Sequence, residues 1–458
     1  MSRLIVISNR IARPSGRGAA HTGGLAMALT AGLRAGDGLW FGWSGQTVER
    51  FTGEVATSRN NEGVTLAAID LDEEDVRLYY NGFANKTLWP LFHYRLDLAA
   101  YDRSFSEGYE RVNRRFAESV RPLIGPDDLV WVHDYHLIPL AEELRRLGVK
   151  NRIGFFLHTP WPARQLVVAL PRHRRLVESL FAYDLIGFQT AEWLEAFEEY
   201  LAHEVGGGIT RDGRLEAFGK HVRAGAFPIG IDAKEFVALG RSPAAMRMYD
   251  RMAAQAVFRS MMVGVDRLDY SKGLDDRFLG FELFLHDNPE FHGQVFLLQI
   301  APLSRDEVDT YQDIRSRLDA LSGRINAAFA DTDWSPMRYV NRNYRRDELA
   351  GVYRAARVGL VTPLRDGMNL VAKEYVAAQN PDDPGVLVLS RFAGAALQMR
   401  DAVIVNPYSH EELSEALKRA LTMDIDERRR RHAALLEGVL RDDVEAWRES
   451  FLGALKAA

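Results

Sequence analysis

Two cations, Arg267 and Lys272, lie in the turn Val265-Asp-Arg-Leu-Asp-Tyr-Ser-Lys-Gly273, between a strand-like apolar run and a helical pattern. Across such a turn both can reach one diphosphate, Arg through forked N–H donors and Lys as a point charge. Surface ion pairing with Asp266 and Asp269 is the competing structural reading. A second polar stretch, Leu364–Tyr375 (LRDGMNLVAKEY), follows the β-prone run Val358–Pro363. It opens as a turn with Arg365, Asp366, Gly367 and Asn369 and continues as a helix with Lys373 and Glu374. Backbone N–H groups at a helix start attract phosphate, and the helix dipole adds to that. Asp366 and Glu374 can accept hydroxyl hydrogen bonds on either side of the anion, a grip suited to a sugar nucleotide.

The N-terminal half carries a different chemistry. Its first strand ends in Ser8-Asn9-Arg10, and a loop with Gly16, Gly18, Gly23 and Gly24 follows. No G-x-G-x-x-G is present, which disfavours a nicotinamide dinucleotide. Gly23-Gly24 at a helix start reads either as a close approach to a pyrophosphate or as a bland turn. Val130–His136 clusters His133, Asp134 and His136, read as a metal site or, preferably, as Asp134 acting as a sugar-hydroxyl acceptor or base. His158 ends the next strand, where a structural histidine is the alternative. Tyr80 and Trp89 (the latter read in a loop, Asn85–Pro90) offer aromatic faces for sugar C–H groups, or pack the core. In the C-terminal half Arg305 follows the strand Val295–Ile300 and so lies, like Arg267 and Lys272, at a strand's carboxyl edge. D-x-D triplets occur at Asp70, Asp331 and Asp424, of which only Asp70, read as following a strand, is a contender for a divalent ion. Arg267 and Lys272 make that ion redundant, so no metal is expected. A carboxylate pair of the glycosidase kind is not signalled.

These residues need a frame. One strand series reads Leu4–Ser8, Val64–Leu71, Leu129–His133, Ile153–His158, Leu185–Gln189 and Val222–Ile229. A second reads Met261–Val265, Val295–Ile300, Arg338–Val340, Val358–Thr362, Val386–Leu389 and Val403–Asn406. Helical patterns such as Leu137–Leu147, Ala191–His203 and Asp306–Ala320 alternate with them. Nearly continuous apolar strands are those of parallel sheets covered on both faces. The fold class is therefore α/β, two doubly wound Rossmann-like domains expected to face a shared cleft. The expected domains are 1–240, 241–442 and a helix within 443–458, whose Trp447 and Phe451 are expected to pack back on the first domain. Arg428–Arg431 reads as a solvated helix face.

Composition bounds the function. The 458 residues are 47% hydrophobic, with 58 basic against 63 acidic residues. That balance argues against a nucleic-acid binder. There is no cysteine, which excludes disulfides and thiolate metal sites. The start, MSRLIVISNR, is too short in apolar residues for a signal peptide, and no run suits a membrane helix. A cytoplasmic protein without a membrane partner is the reading, and a homo-oligomer is compatible with it.

The chain resembles the trehalose-6-phosphate synthase family of retaining glycosyltransferases, which has the two-Rossmann GT-B architecture. The resemblance rests on SNR, HTGGL, YYNGFANKTLWPLFH, VWVHDYHLIPL, GFFLHTPWP, VDRLDYSKG, QIAPLSR, LRDGMNLVAKEY and VLVLSRFAGAA, in one order from end to end. It implies UDP-glucose and glucose 6-phosphate as substrates, with no cofactor. By resemblance, Arg10, Tyr80, Trp89, Asp134 and Arg305 hold the acceptor, with both arginines on its phosphate. Gly23, Gly24, Arg267 and Lys272 hold the donor diphosphate, and His158 and Asp366 contact the transferred glucose. The donor set extends through Gly367, Met368, Asn369, Leu370, Val371, Ala372, Lys373 and Glu374, with Glu374 on the ribose hydroxyls. Tyr344 stands near the uracil where relatives often have Phe, and Trp89 and Thr159 are linked to selection of the acceptor anomer. The resemblance leaves open another phosphorylated acceptor, or a non-catalytic sugar-phosphate sensor.

Overall fold

The computed structural model describes residues 3–11, 33, 38–60, 63–302 and 309–458. The chain divides into two compact units, residues 1–229 with 444–458 and residues 230–443. Asp232 caps the helix Ala233–Leu239, which packs within the second unit, so that unit begins ahead of residue 241.

The first unit holds ten strands: β1 (Leu4–Arg10), β2 (Leu39–Val48), β3 (Ala56–Arg59), β4 (Thr65–Asp72), β5 (Leu129–His133), β6 (Ile153–Phe156), β7 (Leu185–Phe188), β8 (Gly208–Ile209), β9 (Leu215–Ala217) and β10 (Lys220–Ala226). Their order is β3-β4-β2-β1-β5-β6-β7-β10-β9-β8. The centre is parallel, while β3 on β4, β9 on β10 and β8 on β9 run antiparallel. From β1 the chain steps outward to β2 and β4, then returns to place β5 on the other side of β1. Doubly wound sheets bind ligands at such a reversal, and here Arg10 and Asp134 stand at the carboxyl ends of β1 and β5.

Strands β2, β3, β8 and β9 were not expected. Gly38, Gly42 and Gly45 give the β2 region the look of a loop. In the fold Leu39-Trp-Phe-Gly-Trp43 is fully buried between β1 and β4, and tertiary pairing overrides the local signal.

The second unit holds β11 (Ser260–Val265), β12 (Val295–Ile300), β13 (Met337–Val340), β14 (Val358–Val361), β15 (Val386–Ser390) and β16 (Val403–Val405). All are parallel, in the order β13-β12-β11-β14-β15-β16. Here the reversal falls between β11 and β14, whose ends carry the 266–273 and 362–369 turns.

The helix Val444–Ala457 belongs to the first unit. Phe451 stacks on Trp131 of β5, with ring centroids 4.6 Å apart and planes at 11°. A Cβ at Gly154 or Gly187 would strike the Phe451 ring, so β6 and β7 bear glycine where the helix lies closest. Trp447 covers Trp131 and Phe156 at 4.7 and 5.1 Å. The Arg428–Arg431 run is not wholly solvated. Arg428 turns inward with His432, one helical turn on, and donates to Asp383 and the Pro384 carbonyl. Among the described residues no helix is long and apolar enough to cross a membrane.

Candidate active site

In the first unit one run of rings lines the edge beside β1. The Arg10 guanidinium lies 4.7 Å from the Trp43 ring centre, and a Cβ at Gly45 (φ +86°) would collide with it. Trp43 meets Tyr80 edge-on at 5.5 Å, and Tyr80 stacks on His136 at 6.0 Å. His136 contacts Tyr135 at 4.0 Å, and Tyr135 contacts Trp89 at 5.7 Å. Arg10, Tyr80 and Trp89 are thus joined by one run of ring contacts, whose Tyr135 and Trp89 members are buried in the core. Trp89 is not in a loop: a π-helical stretch, Val76–Leu88, runs into the short helix Trp89–Phe92. Widened turns of this kind recur at functional sites. Trp89 is buried, and its carbonyl pairs with the His93 ring at 2.7 Å. Trp43 and His136 were not assigned to this run from sequence. The only signal for Trp43 is the apolar run around Gly42, and His136 was read with a metal cluster.

At the end of β5 the chain turns through Asp134 with φ +75°. With ψ 163° this is not the left-handed helical region but an extended positive-φ conformation that is almost exclusive to glycine. The turn is fixed by the Asp134 N–H on the Phe156 carbonyl at 2.8 Å. The half-buried Asp134 carboxylate then accepts the His158 backbone N–H at 3.2 Å. The His158 ring lies against His133, Nε2 to Nδ1 at 3.0 Å, and against the Gln189 amide at 3.4 Å. Burial lowers the His158 pKa to about 3 and that of His133 well below its usual value, so both are neutral near pH 7. Thr159 is buried, and its hydroxyl has no partner among the described residues.

In the second unit charges do the positioning. Arg277 is buried and donates to Asp266 at 2.5 Å, Gln299 at 2.8 Å and Thr362 at 2.9 Å. One guanidinium thereby ties together the ends of β11, β12 and β14. Asp266 is thus buried against Arg277 rather than on the surface, and the Asp269 carboxylate caps the turn Tyr270–Lys272 by accepting the Ser271 N–H. Arg267 is exposed on the resulting loop. Lys272 pairs with Asp366 at 2.5 Å, and Leu364 N–H bonds the Ser271 carbonyl, joining the two turns. Asp366 also accepts from Gly367 N–H and from the Asn369 amide, each at 2.9 Å. Asn369 takes φ +69° and heads the helix Leu370–Ala378, and its Oδ1 is buried with no partner among the described residues.

Within that helix two neighbours diverge. Lys373 points inward to Gln398 at 2.8 Å, and burial lowers its pKa to about 8. Its side chain is thus engaged in the protein interior. Glu374 is half-buried, and desolvation raises its pKa to about 7 against the opposing Arg346. Tyr344 follows β13 with Arg342 over its ring at 5.4 Å.

Gly23, Gly24 and Arg305 lie outside the described residues. The D-x-D readings dissolve into structure. Asp70 lies within β4 and accepts from Ser44, and Asp72 caps the next helix and pairs with Arg115. Asp331 bridges to Trp334, and Asp424 caps the helix Ile425–Arg441. Among the described residues no group of three or more potential metal ligands comes together.

Two doubly wound parallel sheets, each with polar side chains gathered at its carboxyl edge, define a GT-B glycosyltransferase. The chain belongs to glycosyltransferase family 20, whose model matches residues 3–457. It is 47% identical to the trehalose-6-phosphate synthase of Sinorhizobium fredii, covering 100% of this chain and 99% of that protein. It is similar to the UDP-forming α,α-trehalose-phosphate synthase of Burkholderia xenovorans solved in complex with glucose-6-phosphate, with TM-score 0.95, 48% identity, and 99% and 100% of the two chains covered. An Escherichia coli structure bound with UDP-2-fluoro glucose matches with TM-score 0.94, 46% identity, and 100% and 99% coverage.

Proposed function

We propose that this chain transfers glucose from UDP-glucose to glucose 6-phosphate with retention, giving α,α-trehalose 6-phosphate and UDP. The observation that carries the reading is the end-to-end similarity to solved relatives that hold glucose-6-phosphate and UDP-2-fluoro glucose. The arrangement of each unit is consistent with it. The first unit offers an arginine on an aromatic wall, suited to a phosphorylated sugar presenting C–H faces. The second offers Arg267, Lys272 and a helix start, suited to a diphosphate. Arg305 joins Arg10 on the acceptor phosphate in this reading, and Gly23 and Gly24 approach the donor diphosphate.

In the step itself the anomeric C1–O bond to the diphosphate breaks as the acceptor hydroxyl attacks the same face. The hydroxyl proton passes to the departing phosphate oxygen. The protein contributes positioning and stabilisation of the growing negative charge, the latter through Arg267 and Lys272. In the paired arrangement Lys272 must share itself between Asp366 and the diphosphate, while Asp366, held by Gly367 and Asn369 as well, keeps its orientation towards the transferred sugar. No metal or cofactor is required by this route. Both substrates are charged phosphate esters that do not cross membranes unaided, which supports a cytoplasmic location.

UDP release with UDP-, GDP- or ADP-glucose, each with and without glucose 6-phosphate, tests the reading. Release that needs both UDP-glucose and glucose 6-phosphate, with a disaccharide phosphate by mass spectrometry, is expected. Release with another phosphorylated acceptor alone would replace the acceptor, and no release would return the chain to the sensor class.

A further inference from the structure

The carboxyl ends of β5, β6 and β7 bring three polar side chains into line under the helix Val444–Ala457. Gln189 is held at one end: its Oε1 accepts the Ile229 backbone N–H at 3.0 Å. A backbone N–H can only donate, so the amide oxygen is fixed there and the amide nitrogen faces His158 Nδ1. That nitrogen also only donates, which makes Nδ1 the acceptor. The proton of a neutral His158 then sits on Nε2, facing His133 Nδ1 at 3.0 Å. His133 Nδ1 must accept in turn, and its own proton falls on Nε2, buried with no partner among the described residues beside the Trp131 ring at 4.6 Å. One backbone N–H thus sets the tautomer of two imidazoles in sequence.

We infer that Gln189 and His133 are positioning residues that hold His158 in a single neutral tautomer, with its proton on Nε2 and only an acceptor edge at Nδ1. The elements around His158 present His133 and Asp134 from the end of β5, Gln189 from the end of β7, Phe156 from β6 and Trp447 from the last helix. The titratable groups among these are His133 and the Asp134 carboxylate, and the latter bonds the His158 backbone rather than its ring. Burial among Phe156 and Trp447 opposes protonation from the remaining sides.

The inference deepens the proposed transfer and rests on it for its purpose. Front-face attack sends the acceptor proton to the leaving phosphate oxygen. A basic imidazole on the transferred sugar would compete for that proton. A neutral ring with both nitrogens engaged, Nδ1 by Gln189 and Nε2 by His133, takes no part in acid–base chemistry and leaves that proton to the phosphate oxygen.

Nitrogen-15 NMR of the histidine rings in the full-length protein tests the lock without recourse to activity. The His158 signals are assigned by their loss in His158→Gln. One protonated Nε2 and one bare Nδ1, unchanged between about pH 5 and 8, are expected. A His158 that titrates in that range, or that carries its proton on Nδ1, would overturn the inference. Gln189→Glu supplies the kinetic arm, since a carboxylate against Nδ1 favours the imidazolium. Its kcat/KM should acquire a titration step that the parent lacks, falling about tenfold per pH unit below it. An unaltered pH profile in a folded Gln189→Glu protein would also overturn it. If that variant does not fold, the spectrum of the parent protein still decides. A correct tautomer together with an absent disaccharide product would instead remove the proposed transfer and leave the lock standing.

Discussion

The two units solve the same problem with opposite materials. At the β1–β5 reversal the side chains are rings: Trp43, Tyr80, His136, Tyr135 and Trp89 in contact, with neutral His133 and His158 beside them. At the β11–β14 reversal they are charges: Arg277 on Asp266, Lys272 on Asp366, and inward-turned Lys373. The rings suit a ligand whose orientation rests on C–H faces and one phosphate. The charges suit a ligand whose diphosphate gains charge as the bond breaks. The lesson is that a doubly wound sheet fixes where ligand groups converge, while the filling of its crevice sets their chemistry.

The comparison can be broken from either side, and the largest effects fall on the packing beneath each half. Phe451→Ala should cost about 3–5 kcal/mol of first-unit stability, because a large ring leaves a void over Trp131. Asp266→Ala should cost a similar 3–5 kcal/mol in the second unit by leaving Arg277 buried without its carboxylate. Denaturant unfolding measures both, and a loss below about 1 kcal/mol in either case would show that half to be held by other means. Next in size, Arg267→Ala should lower turnover about a hundred- to a thousand-fold while leaving glucose 6-phosphate binding nearly intact. Equal small losses in both would take Arg267 off the diphosphate. Arg10→Ala should act on the other substrate, raising the glucose 6-phosphate KM about ten- to a hundred-fold through loss of a charge-assisted bond. An unchanged KM would remove the arginine from the acceptor.

The smallest effect concerns pH. Glu374 has its pKa raised from 4.5 to about 7, so the native state holds a proton that the unfolded chain has released across that window. Its contribution to stability is therefore full below pH 4.5 and declines as pH rises through about 7. An ionised Glu374 is the better acceptor for ribose hydroxyls, so the UDP-glucose KM should rise as pH falls through about 7. Glu374→Gln should flatten both dependences, whereas a profile that survives the substitution belongs to another group.

Much of this frame was legible beforehand. The strands Leu129–His133 and Val295–Ile300 have the bounds read from their apolar runs. The turns after β5, β11 and β14 carry the side chains that spacing singled out, because parallel strands end where polar residues begin. What escaped was set by distant partners. Trp43 sits in a glycine-rich strand that forms only against β1 and β4. Lys272 and Asp366 meet only through the neighbouring placement of β11 and β14. Trp89 looked like a loop residue because Asn85 and Pro90 flank it, yet a π-helical run continues straight into its helix.

The helix Val444–Ala457 carries a consequence for how the molecule is made. A ribosome finishes β1 to β10 early, yet the face of β5, β6 and β7 bearing Trp131, Gly154 and Gly187 stays bare while all of residues 230–443 are translated. Only when Trp447, Phe451 and Leu455 emerge can that face close. The unit begun first is completed last, and for the length of the intervening synthesis this apolar face is open to chaperones.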